Sequence, residues 1–133
     1  MNENNFDKTE TASTKTAESR QVEFLVSKPF LHLTLKKKWF DLISEGKKKI
    51  EYREMKDYWI TRLIGNAYKY DNILFRNGYR KDSPKMIVEI REILARTGEQ
   101  LKEQNLLPQN GEQLDLTKDF IIIKLGNVIT KAC

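Results

Sequence analysis

Lys48, Glu51 and Arg53 lie within the stretch EGKKKIEYRE (45–54), in the spacing Gly46-x-Lys48-x-x-Glu51-x-Arg53. In an extended strand successive side chains point to opposite faces, so Lys49, Glu51 and Arg53 share one face and Ile50 and Tyr52 the other. Ile50 and Tyr52 are expected to point to the core. Lys48 follows Gly46 closely enough to lie in a turn, where it can swing towards a cleft beside Glu51. Arginine offers a planar fork of donors suited to a phosphate or a base edge. Lysine offers a point charge, or a base where burial lowers its pKa. Glu51 can accept protons from an exocyclic amine. The same residues also suit a surface strand with an Arg–Glu pair among solvated lysines.

Other chemistry is restricted by what the chain lacks. It has one cysteine, Cys133, and one histidine, His32. Metal sites built on Cys and His are therefore not expected, and no cofactor is implied. Catalysis, if any, would run on Lys, Glu, Asp, Thr or Tyr. Tyr79, flanked by Arg76 and Arg80, suits either stacking on a base or packing on the rim of a barrel. Glu89 is a mid-strand carboxylate, read either as an acid/base group or as an outward-facing strand residue.

The net charge is +5 with a pI near 9.3. Residues 1–20 carry −1, which leaves +6 on the rest, including the lysine runs 36–38 and 47–49. Such clustering is compatible with a polyanionic partner. A chain of 133 residues favours a single domain. No run approaches the roughly 18 apolar residues of a membrane helix, and no signal-peptide pattern begins the chain. A cytoplasmic location without a membrane partner is therefore expected. Residues 1–21, rich in Thr, Ser, Asn and Glu, read as a disordered tail, and 22–133 as the folded domain.

The elements that must position the motif follow from periodicity. Alternation at Leu31, Leu33 and Leu35 predicts a half-buried strand with His32 on its polar side. KKKWFDLISEG (36–46) changes period: Trp39, Leu42 and Ile43 share a helical face flanked by Phe40, and Gly46 suits the left-handed closing residue. KKIEYRE (48–54) is the next strand, and MKDYWITRLIG (55–65) a helical turn. YDNILFRNGYR (70–80) is a strand ended by the turn signal Asn77-Gly78. PKMIVEIREILART (84–97) is a long strand with a bulge or bend. EQLKEQNLLPQNGEQLD (99–115) is a short helix and loop. DFIIIKLGNVI (119–129) is a central strand buried on both faces. An α+β chain of five or six short strands, one main amphipathic helix and short helical turns closes most economically as a small barrel with the helix over one end.

Gly46-x-Lys48-x-x-Glu51-x-Arg53 resembles the signature of the ASCH domain family. LTLKKKWFDLISEGKKKIEYRE is similar to that family's strand–helix–turn–strand opening, YDNILFRNGY to its next strand and turn, and DFIIIKLGNVI to its closing strand. The resemblance covers about residues 30–129. It implies a PUA-like mixed barrel, a cleft between barrel and helix that carries the motif, and binding of RNA or a nucleotide. Lys48, Glu51 and Arg53 are then the ligand groups; Lys37 in the lysine run 36–38, and Arg76 and Tyr79, are further RNA-contact candidates read from charge and aromatic interleaving rather than from the resemblance. Some members are ribonucleases and others N4-acetylcytidine amidohydrolases, so a metal-independent hydrolase with Lys48 and Glu51 as catalytic groups is the alternative. The deacetylating type has a threonine three residues after the motif lysine, where this chain has Glu51.

Overall fold

Apolar side chains at every second position from Leu31 give way, after Leu35, to a helical period. The computed structural model, which describes residues 28–132, shows what this switch builds. The tail assigned to 1–21 and Cys133 lie outside the described residues. Strand β1 (Leu31–Thr34) buries Leu31 and Leu33 and exposes His32. Helix α1 (Lys37–Ser44) buries Phe40 and Ile43, whereas Trp39 and Leu42 are only half-buried. Phe40 is thus a core residue rather than a flank, and Trp39 sits over the charged residues described below.

Strand β2 (Ile50–Glu54) is followed by three short helical pieces: α2 (Asp57–Trp59), a π-helical turn (Ile60–Gly65) and a 3-10 turn (Ala67–Lys69). Then come β3 (Asn72–Arg76), β4 (Lys85–Thr97), α3 (Gly98–Glu103) and β5 (Asp119–Ala132). The five strands form one mixed sheet in the order β1-β3-β4-β5-β2, with β1 and β3 parallel and the other pairs antiparallel. Register shifts between Ile87 and Glu92 interrupt the β4–β5 ladder. Such irregularities bend strands and increase their twist. The sheet is curled into a half-barrel, an α+β arrangement consistent with a small β-barrel.

Asn77-Gly78 does not make a two-residue hairpin. The Asn77 N–H instead donates to the Pro84 carbonyl at 3.0 Å, which closes a longer loop. Pro84 has no N–H to extend the ladder, and β4 starts at Lys85.

β5 is covered on both faces. Ile121, Ile123 and Leu125 join the main core with Leu31, Ile73, Phe75 and Val88. Phe120 and Ile122 join a smaller cluster with Tyr52 and Leu101, against which Ile50 also packs. Glu51 pairs with Ile123 and Arg53 with Ile121, so both charged residues lie on the main-core face of β2. Strand parity is as expected, but the face assigned to charge is roofed rather than open.

α3 begins with a capping box between Thr97 and Gln100. A Cβ at Gly98 would fall 2.0 Å from the Leu116 carbonyl oxygen. Gly98→Ala is therefore expected to destabilise the fold by about 1–3 kcal/mol through overpacking, read as a lower urea midpoint.

Candidate functional site

The end of α1 places the motif. The Gly46 N–H donates to the Ile43 carbonyl at 3.0 Å and the Lys47 N–H to the Leu42 carbonyl at 2.9 Å, with Gly46 at φ +77°. This paired arrangement is a Schellman closure, which needs a left-handed residue and favours glycine. The Lys48 N–H also donates to Leu42, at 3.1 Å. The chain therefore turns sharply, and Lys48 enters the fold while Lys47 and Lys49 stay exposed.

Lys48 and Glu51 are each only 5% exposed. The Lys48 ammonium donates to the Ile50 carbonyl and to Glu112 Oε1, both at 2.7 Å, and lies 3.6 Å from Glu51 Oε1. Arg53 grips the other side of Glu51, its Nε 3.0 Å and Nη2 2.8 Å from Oε2, and Nη2 also reaches the Thr34 carbonyl at 3.3 Å. The row thus runs Glu112, Lys48, Glu51, Arg53, with alternating sign. A tryptophan flanks each cation: the Lys48 ammonium is 5.5 Å from the Trp39 ring and the Arg53 guanidinium 4.9 Å from the Trp59 ring. Cations desolvated over such faces gain about 0.5–2 kcal/mol.

Burial pushes the Glu51 carboxyl above its usual range, opposed by Arg53 and Lys48 and reinforced by Glu112. Burial, then Glu112 and Glu51, push Tyr52 up to about 12. The Tyr52 hydroxyl donates to the Leu106 carbonyl. A raised tyrosine stabilises the fold fully below the ordinary value near 10, and that contribution is lost as pH rises towards 12. Urea melts across this range should show a steeper loss of stability for wild type than for Tyr52→Phe. Equal slopes would show that Tyr52 ionises freely.

Beside the row is a cavity of about 170 Å³, lined by Lys47, Lys48, Lys49, Tyr52, Asn110 and Glu112 among others. Asn105 and Gln109 add two further amides to its wall. Glu51 and Arg53 do not line it; they hold Lys48 from behind. Glu112, the cavity-lining partner of Lys48, is the residue that sequence reasoning missed. It belongs to the loop 104–118, and Asn110 of that loop donates to the Lys47 carbonyl at 3.1 Å. Its only sequence signal is a carboxylate in an aperiodic stretch, which says nothing of its partner.

The remaining candidates lie apart from the cavity. Lys37 is ion-paired with Asp41 at 2.6 Å on the exposed side of α1. Arg76 donates from Nη2 to the Arg80 carbonyl at 2.8 Å, and Tyr79 is 89% exposed on the β3–β4 loop. The Leu35 N–H donates to the Arg76 carbonyl, which brings this loop to the end of the sheet where α1 starts. Glu89 accepts from the Asn127 N–H at 2.9 Å and does not line the cavity. Among the described residues no cluster of three or more His, Cys, Asp or Glu side chains could hold a metal ion, and no helix is long and apolar enough to cross a membrane.

The chain matches no family model, no curated protein and no solved structure.

Proposed function

We propose that this chain is an ASCH-type, PUA-like domain that binds RNA or a nucleotide, with the cavity above Lys48 and Glu112 taking one nucleotide unit. The observation that carries the reading is the composition of that cavity: three consecutive lysines, one carboxylate and three side-chain amides around a buried ion pair. Phosphate suits Lys47 and Lys49, whose ammonium groups are exposed. Lys48 has two donors bonded inside the protein, so it serves as a fixed floor more than as a free phosphate clamp. Glu112 and the amides supply the acceptors and donors that a base edge needs. The basic end formed by Lys36–Lys38, Arg76 and Arg80 suits the backbone of a longer RNA, with Tyr79 available to stack.

The test compares a nucleoside with its 5′-monophosphate by isothermal titration. The monophosphate should bind about tenfold more tightly at low salt, from one charge-assisted contact. That advantage should shrink at physiological salt, because the lysines are exposed. Equal affinities at low salt would remove phosphate recognition from the site.

A hydrolase acting on RNA or a modified nucleoside is the second reading. It rests on one observation, a buried carboxyl held above its usual range beside a lysine amine. Of the two, only Lys48 lines the cavity, so Glu51 would act on a substrate through the lysine amine rather than by direct contact.

A further inference from the structure

The helical stretch between β2 and β3 is anchored on the main core by Leu63 and the half-buried Trp59. Within 56–69 only Leu63 is buried. Tyr58 and Tyr68 are 61% and 71% exposed, and Ile60 and Ile64 are exposed between them. The Asn66 N–H donates to the Thr61 carbonyl at 3.1 Å, five residues back, and turns of this widened kind occur frequently at functional sites. Exposed apolar groups gathered on one short segment mark a contact surface.

The chemistry of that surface is a ring beside a cation, repeated. Arg62 lies 5.3 Å from the Tyr58 ring and Lys69 6.0 Å from the Tyr68 ring. Tyr58 packs edge-on against Trp59 at 4.8 Å, and Trp59 in turn carries the Arg53 guanidinium on its ring. Arg62 Nε is buried without a hydrogen-bond partner among the described residues. Lys56, Arg62 and Lys69 stand against one acid, Asp57. A protein-docking face of aliphatic character would not need a cation at each ring. Aromatic faces interleaved with cations are what single-stranded nucleic acids use, with bases on the rings and phosphates on the charges.

We propose that residues 56–69 form a stacking platform for single-stranded RNA, in which bases lie on Tyr58 and Tyr68 and phosphates meet Arg62 and Lys69. The platform goes beyond the nucleotide cavity and shares none of its residues, so either stands without the other.

The experiment is fluorescence anisotropy of the full chain with a labelled oligouridylate, beside titration of uridine 5′-monophosphate. Tyr58→Leu and Tyr68→Leu keep apolar area and remove the rings. Each should weaken oligonucleotide binding about fivefold or more, and Arg62→Gln should weaken it and flatten its salt dependence. Mononucleotide affinity should stay unchanged in all three. The proposal is overturned if the double leucine variant binds the oligonucleotide like wild type. It is also overturned if sedimentation shows that wild type self-associates through this face and the double variant does not. Loss of oligonucleotide binding only on Lys47→Ala and Lys49→Ala would sink the platform and leave the cavity. Tyrosine-dependent binding with no mononucleotide uptake would do the reverse.

Discussion

Lys48→Ala is expected to destabilise the fold by about 3–5 kcal/mol, the cost of removing one partner from a buried charge pair. Glu51, 5% exposed, would keep only Arg53, and Glu112 would lose its 2.7 Å contact. The lost side chain also leaves a space between Trp39 and Tyr52, whose rings lie 5.5 and 5.1 Å from the ammonium. The deficit should depend on pH in one direction. Glu51 is already raised by burial, so its contribution to stability is present at low pH and is lost as pH rises through its folded value. Removing Lys48 raises it further, so the variant should lie closer to wild type in acid than in alkali. Urea midpoints at several pH values measure this. A lysine that merely decorates the surface would cost under about 0.5 kcal/mol at every pH.

The second large effect falls on binding. Lys47→Ala combined with Lys49→Ala should lower nucleotide affinity by about tenfold or more, at about 1.5–3 kcal/mol per charge-assisted bond. Stability should hardly change, because both ammonium groups are exposed and the nearby Lys47–Glu45 contact, at 3.4 Å, is a surface ion pair. Lys37→Ala is the control. Its ammonium is paired with Asp41 one turn on in an exposed ion pair, so its loss should barely change helix stability and leave nucleotide binding intact. Titration calorimetry and melts on the same three proteins separate the two effects. A double variant that binds like wild type would take phosphate recognition away from the cavity mouth.

Local order was legible in the sequence wherever a period runs along it. Leu31 and Leu33 alternate with His32, and Ile121 to Ile123 form an unbroken apolar run; each dictates its own burial. Gly46 announced the end of α1, and the turn at that glycine is what brings Lys48 beside Glu51. The sequence did not reveal what covers the charged face. Parity separates Glu51 from Tyr52, but whether Glu51 meets water depends on β5 and its neighbours, which pair with β2 from about seventy residues away in the chain. Glu112 is 64 residues from Lys48, in a loop with no period, and charge pairing at that distance leaves no pattern to read. The motif therefore looked like three free ligand groups. In the fold, two of them brace the third, and the third is the floor of the cavity. Trp39 misled for a related reason. Its helical spacing matches a core position, yet it lies over two lysine ammonium groups, with Lys38 4.8 Å and Lys48 5.5 Å from its ring.

The most direct test of a nucleotide site on the Lys48–Glu112 floor is a titration of the isotopically labelled chain with a nucleoside 5′-monophosphate, followed by amide NMR shifts. Saturable shifts should concentrate on residues 47–52 and 105–112, with the Lys48 side-chain ammonium resonance moving as well. Shifts confined to other surfaces, or none at saturating nucleotide, would contradict it.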